Sequence, residues 1–225
     1  MKSFNHYFVK EQPEPQKPLR FVVYCASLKK DIDTSNSHTI SNIVKQHLED
    51  AGCEVEMFIA NQLHFEPGVD LTDQAGKRDD LTTVLKTIEE CDGLIVSTPI
   101  WWGVHSSYVQ ALFERMVYFD DLYIKSDKSV LYGKTFGGII SGADDGWQQI
   151  QGLMGSFATQ LGFSLPPEAF VSSNEQSKSD ILKSKELREI VQVFVRNQVQ
   201  FAKMLKDTKF AQIQGNVNKS GETYT

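Results

Sequence analysis

The sequence predicts an α/β fold with a doubly wound, five-stranded parallel sheet in the order 2-1-3-4-5 and helices on both faces. Five short apolar runs alternate with five segments of helical periodicity along the chain. Strands that alternate with helices are joined by right-handed crossovers, which give a parallel sheet covered on both faces. In such a sheet a ligand crevice is expected between the ends of strands one and three.

The first half of the chain supplies two strands and two helices of this pattern. Residues 21–26 form a continuous apolar run, and residues 54–59 make the second strand. Between them, apolar residues follow helical spacing up to Ala51, and Gly52 occupies the place of a helix C-cap. The second helix is predicted by apolar residues at i, i+3, i+4 and i+7, namely Leu81, Val84, Leu85 and Ile88.

The second half repeats the alternation three times. Residues 94–98 are the third strand, and the helical spacing that follows runs through Met116 and continues to Phe119. Residues 136–141 are the fourth strand, with a helix from Trp147 that Gly162 closes. A short fifth strand at residues 168–171 precedes the long last helix. The expected organisation is an N-terminal arm at residues 1–18, one domain at 19–206 and a flexible tail at 207–225.

Composition narrows the class of protein. The net charge is −6 and no Lys/Arg-rich cluster occurs, which disfavours binding to nucleic acid or to an anionic membrane. No apolar run reaches the length of a membrane span. The three cysteines are far apart and the five histidines show no metal-binding spacing. We therefore expect no metal site and a cytoplasmic location.

The loop after the first strand is rich in hydroxyl and amide side chains. Ser27 comes directly after the strand, and Ser35, Asn36, Ser37 and Thr39 stand at the start of the first helix. A helix N-terminus favours phosphate because its N–H groups are free and its dipole is positive. These residues could equally be ordinary helix N-caps.

The loop after the third strand carries two adjacent tryptophans. The strand stops at Pro99, and Ile100, Trp101, Trp102 and Gly103 follow. Two indoles in a loop at the carboxyl end of a strand offer a flat apolar wall on which a planar ring could stack. The alternative is that they are core or dimer-interface residues.

The loop after the fourth strand is built from small residues. Ser141, Gly142, Ala143, Asp144 and Gly146 would let backbone N–H groups come close to a ligand, although an ordinary glycine-rich turn has the same composition. Together the three loops offer a phosphate cradle, an aromatic wall and a backbone face. A planar heterocycle with one phosphate suits this set, and FMN fits best.

These residues resemble the flavodoxin-like NAD(P)H-dependent oxidoreductases, the superfamily of the NADPH-dependent FMN reductases and related quinone reductases. Ser27 and residues 35–37 resemble the phosphate loop of that family, and residues 91–116 resemble its segment from strand three into the next helix. The similarity covers about residues 20–205. The chain departs from the family pattern at His38, where arginine is frequent, and at Trp101, where tyrosine is usual.

The resemblance implies an enzyme that transfers hydride from NAD(P)H through bound FMN to a quinone, a flavin or a similar small acceptor in a ping-pong cycle. It implies no catalytic side chain, because backbone N–H groups near residues 142–144 would stabilise charge on the reduced ring. It also implies a homodimer that completes the site. Two alternatives stay open: a non-enzymatic FMN electron carrier of flavodoxin type, and a flavin-free interaction protein on the same fold.

Overall fold

The structure, a computed structural model, describes residues 17–69, 79–126, 129–142, 145–206 and 208–210. Most of the predicted N-terminal arm and of the predicted tail lies outside the described residues. So do Ala143 and Asp144 of the predicted site.

One parallel sheet of five strands organises the described chain. Its order is β2-β1-β3-β4-β5, and every neighbouring pair is parallel. The predicted strand order and fold class are therefore confirmed. The strands are β1 Arg20–Cys25, β2 Glu54–Ile59, β3 Gly93–Pro99, β4 Thr135–Ser141 and β5 Phe170–Ser173.

Helices pack on both faces of this sheet because successive strand residues point to opposite sides. Val22 and Tyr24 of β1 face one core, and Phe21 and Val23 face the other. The first core is closed by α2–α5 and the second by α1, α6 and α7. The helices are α1 Asn36–Asp50, α2 Leu81–Glu90, α3 Ser107–Arg115, α4 Val117–Ser126, α5 Trp147–Leu161, α6 Lys178–Lys183 and α7 Lys185–Lys206.

The third helical segment differs from its prediction, because it is two helices rather than one. The break falls at Met116, whose N–H reaches the carbonyls of both Leu112 and Phe113. Met116 and Phe119 are both buried in the same core. Apolar residues therefore continue across the break, and the hydrophobic periodicity of the sequence does not show where one helix ends and the next begins.

The fifth strand begins two residues later than predicted. Glu168 has a positive φ of 54°, which places it in a turn, and pairing starts at Phe170. The Phe170 ring lies over Gly138, where an added Cβ would come within 2.4 Å of it. Because Gly138 has no side chain, the Phe170 ring of β5 can pack directly on β4 there.

Within the ranges that the structure describes, no helix is long and apolar enough to cross a membrane. The described residues also contain no group of His, Cys, Asp or Glu that could hold a metal ion. Cys25 and Cys91 are buried thiols, and burial raises the pKa of each to about 11. They act as small core residues.

Candidate functional site

The loops after β1, β3 and β4 meet at the carboxyl edge of the sheet and enclose a cleft of about 150 Å³, here called the three-loop cleft. Open α/β sheets bind ligands at this edge. All of its lining residues except Leu28 and Lys29 are predicted site residues. They are Ser27, Leu28, Lys29, Ser35, Asn36, Ser37, Pro99, Ile100, Trp101, Ser141 and Gly142.

The N-terminus of α1 forms the polar end of this cleft. Ser35 is the N-cap, and its Oγ accepts a hydrogen bond from the N–H of His38 at 3.2 Å. Among the described residues, the N–H groups of Asn36 and Ser37 have no acceptor. Two backbone donors without a described acceptor thus stand at the positive end of a 15-residue helix, on residues that line the cleft.

A buried hydroxyl pair joins the first loop to the third. Ser37 Oγ lies 2.6 Å from Ser141 Oγ. The Ser37 carbonyl accepts hydrogen bonds from Ser41 Oγ at 2.8 Å and Ser97 Oγ at 3.2 Å. The start of α1 is therefore fixed against β3 and β4 before any ligand binds.

Two predicted residues of the first loop have other partners. The Thr39 hydroxyl donates to the Ser35 carbonyl at 2.9 Å, so it points back into the helix and does not line the cleft. Asn36 lines the cleft, but its side-chain amide donates to the carbonyl of Glu175 at 2.9 Å. A fourth loop, the one after β5, thus supports the polar end of the cleft, and the sequence analysis did not include this loop.

The positive charge at the polar end of the cleft comes from Lys29 rather than from residue 38. Lys29 lines the cleft, and its Nζ donates to the Thr34 carbonyl at 2.6 Å. Burial is the main cause that lowers the pKa of His38, so this side chain is neutral at pH 7. Lys29 was missed as a site residue, and its signal was a cation two positions after Ser27.

The tryptophan loop is a tight two-residue turn. Trp101 and Val104 exchange two backbone hydrogen bonds, of 2.9 and 3.0 Å. The turn residues between them have positive φ, 52° at Trp102 and 78° at Gly103, as in a type I′ turn. A bulky side chain is rare in this conformation and strains the backbone by about 1–3 kcal/mol.

The two indoles have different surroundings. Trp101 lines the cleft and is 49 % exposed, whereas Trp102 is 97 % exposed at the tip of the turn and does not line it. The aromatic wall that the sequence predicts would therefore come from Trp101 and not from Trp102. Gly103 is likewise part of the turn and not of the cleft lining.

Close glycine contacts hold the third loop against the second. A Cβ added to Gly146 would lie 2.5 Å from both Cα and O of Gly103, and one added to Gly142 would lie 3.0 Å from Ile100 Cβ. The N–H of Gly142 donates to the Ser173 carbonyl at 2.9 Å, so it is not available to a ligand. Gly142 contributes close packing instead of the donor expected near residues 142–144.

Ser106 connects the tryptophan loop to the end of β1. Its Oγ donates to the Ala26 carbonyl at 2.8 Å, and its N–H donates to Thr98 Oγ1 at 2.9 Å. Ser106 is 1 % exposed. It does not line the cleft, but it sets the position of two loops that do. Its sequence signal was only an ordinary helix N-cap before Ser107.

The residues present fit FMN. Two backbone N–H groups, hydroxyls and Lys29 surround the polar end, which is the donor set that a phosphate monoester requires. Ile100 and Trp101 supply an apolar face at the other end. The described lining contains no carboxylate that would repel a phosphate.

The family described as NADPH-dependent FMN reductase matches residues 19–178. This chain belongs to that family. Membership confirms the predicted family and its FMN cofactor.

The curated relatives match only part of this chain by sequence. A Streptomyces davaonensis protein described as 8-demethyl-8-aminoriboflavin-5′-phosphate synthase is 29 % identical over 97 residues, which are 43 % of this chain and 38 % of that protein. The chain spans less than two fifths of the length of the curated relatives it matches.

Two solved structures extend the comparison to most of the chain. RosB with the bound intermediate 8-demethyl-8-formylriboflavin-5′-phosphate has a TM-score of 0.73 at 21 % identity, covering 92 % of this chain and 95 % of RosB. An NADH:FMN oxidoreductase in its apo form has a TM-score of 0.60 at 14 % identity, covering 84 % and 91 %. At these identities the likeness is one of fold.

Proposed function

We propose that the chain holds FMN in the three-loop cleft and uses it to pass electrons from NADPH or NADH to a small acceptor such as a quinone or a flavin. One observation carries this proposal. The N-terminus of α1, with two N–H groups that lack an acceptor among the described residues, opens into the same cleft as the half-exposed ring of Trp101. One ligand with a phosphate and a planar ring would use both.

The phosphate would lie at the polar end. The N–H groups of Asn36 and Ser37 would donate to its oxygens, and the Lys29 ammonium would balance its charge. The Ser35 hydroxyl accepts from His38 and still has its own proton to donate. Because His38 is neutral, the phosphate would be held mainly by the helix and by one lysine.

The ring would lie between the second and third loops. Trp101 and Ile100 would cover apolar ring surface. Gly142 packs closely against Ile100, so the second and third loops lie close together on that side of the ring. Bound FMN would supply the redox chemistry, accepting two electrons from the nicotinamide and giving them to the acceptor. The protein's part is to orient the ring and to keep one of its faces open to these small molecules.

No side chain is needed as an acid or a base. Lys29 is the one titratable group among the described residues that line the cleft, and it lies at the phosphate end. Protons would therefore come from water at the open face.

Trp102 would be covered by a second copy of the chain. It is 97 % exposed, and other exposed apolar residues are Val104 in the tryptophan loop, Val117 on α4 and Leu153 on α5. A homodimer that uses these residues as its interface would bury them and place the tip of the tryptophan turn against the partner subunit. Sedimentation equilibrium at micromolar concentration tests this, since a monomer would contradict it.

A second candidate treats FMN as the substrate. Riboflavin-5′-phosphate is the chemical name of FMN. One curated relative is named for a product that is a modified form of it, 8-demethyl-8-aminoriboflavin-5′-phosphate. The same cleft would then bind FMN, but the flavin would leave in altered form. Mass spectrometry of the flavin released after turnover separates the two, because an oxidoreductase returns FMN unchanged.

The deciding experiment is an anaerobic reaction of the FMN-loaded protein with NADPH and, separately, with NADH. The proposal predicts bleaching of the flavin absorbance and its return when menadione is added. Failure of both nicotinamides to bleach the flavin would overturn the proposal. Reduction only by a flavoprotein reductase, one electron at a time, would favour the electron carrier.

A further inference from the structure

A second cleft lies at the same edge of the sheet, between the ends of β4 and β5, and is here called the β5 cleft. It encloses about 230 Å³. Ile100 and Gly142 line both this cleft and the three-loop cleft. The two clefts are therefore neighbours that share a wall. The proposed function uses only one of them.

Part of the lining of the β5 cleft is apolar. Trp147, the first residue of α5, is half-buried and lines it. Ile190 of α7 also lines it and is 39 % exposed. An indole and a branched aliphatic side chain around a concave space are typical of a site for an apolar ring.

The rest of the lining includes hydroxyl groups and one carboxylate. Glu186, in the first turn of α7, and Ser172, on β5, both line the cleft and are exposed. In the described part of the chain the Glu186 carboxylate has neither an ion pair nor a hydrogen bond. A carboxylate and an indole that line one cleft can together attract an organic cation, since the negative charge and the face of the ring both favour it.

We propose that the β5 cleft binds a small aromatic amine in its cationic form. The ring would contact Trp147 and Ile190, and the ammonium group would pair with Glu186 and donate to the Ser172 hydroxyl. The volume of about 230 Å³ holds one ring with a short arm. It lies below the 300–1,000 Å³ that is usual for drug-sized ligands. This site goes beyond the proposed function and does not depend on the flavin.

The test is calorimetric titration of the purified full chain with two probes of the same shape. Benzylamine is a cation at pH 7, and benzyl alcohol is neutral. Benzylamine is expected to bind saturably with a Kd on the order of 1 mM, about tenfold more tightly than benzyl alcohol. Excess FMN is expected to leave the benzylamine affinity unchanged, because FMN occupies the other cleft.

Two charge-neutralising variants on α7 identify the site. Glu186→Gln is expected to remove the tenfold preference for benzylamine, whereas Glu189→Gln, on the same helix but outside the cleft, is expected to keep it. Both residues are exposed, so neither change threatens folding. Equal benzylamine affinity in the two variants, no saturable heat in the unaltered protein, or displacement by FMN would each overturn the proposal. A failure of nicotinamide oxidation would leave these titrations unaffected, so the two proposals fail separately.

Discussion

The loops after β1 and β3 meet at one cleft but are built in opposite ways. In the first loop Ser35 and Ser37 are each 2 % exposed, and their hydroxyls already have protein partners. In the second loop Trp101 and Trp102 are 49 % and 97 % exposed. The first loop, the polar half of the cleft, is therefore preorganised by its own hydrogen bonds. The second loop, the aromatic half, leaves apolar ring surface exposed that a ligand or a partner could cover.

The largest expected effect on stability comes from the contact between Gly146 and Gly103, which holds the third loop against the tryptophan loop. Gly146→Ala would put a Cβ 2.5 Å from the Gly103 backbone at a φ of 91°, so neither backbone could stay in place. We expect a loss of about 3 kcal/mol in the free energy of unfolding. Urea denaturation measures it.

The matched control is Gly152→Ala in the interior of α5, where an added Cβ meets nothing within 4 Å. It should stabilise the protein by about 0.5–1 kcal/mol, because alanine favours the helix. If both variants had the same stability, the glycine contact would not be what holds the second and third loops together.

The next effect tests the preorganised polar half. Ser37→Ala removes the partner of the Ser141 hydroxyl in a buried place, which should cost about 1–3 kcal/mol of stability and weaken FMN binding about tenfold. Fluorescence titration with FMN gives the affinity. Ser41→Ala also removes a buried hydroxyl that bonds to Ser37, but Ser41 does not line the cleft, so its FMN affinity should be unchanged.

A smaller effect of opposite sign is expected at the tip of the tryptophan turn. Trp102→Gly relieves the positive φ of 52° and should raise the free energy of unfolding of the monomer by about 1 kcal/mol. Thermal unfolding at low protein concentration measures this. A destabilised monomer would mean that the Trp102 ring makes contacts that outweigh the strain.

The smallest effect is a pH dependence from His38. Its pKa is lowered in the folded state, so the unfolded chain takes up the proton first as the pH falls. Stability from this group is therefore present above about pH 6.5, the ordinary value, and declines below it. Urea denaturation at pH 5.5 and 7.5 should show a smaller difference for His38→Asn than for the unaltered chain.

The sequence predicted the fold and most of the cleft because both depend on local patterns. Residues 54–59 and 147–161 match the structure at both ends. Glycine-rich and hydroxyl-rich loops at the carboxyl ends of strands must converge once the strand order is known.

What it could not predict depends on contacts between distant residues. The bond from Ser106 to Ala26 spans 80 positions, and the N–H of Gly142 is taken by Ser173 of a different strand. The outward direction of Trp102 follows from turn geometry, which two adjacent tryptophans do not reveal. The break at Met116 is hidden because both sides of it are apolar.

The central claim is that the N-terminus of α1 and its loop form a phosphate site next to an aromatic ring site. The most direct measurement is calorimetric titration of the flavin-free protein with FMN and with riboflavin, which differ only in the phosphate. The account predicts that FMN binds about a hundredfold more tightly and that Ser37→Ala reduces this ratio. Equal affinity for FMN and riboflavin would contradict it.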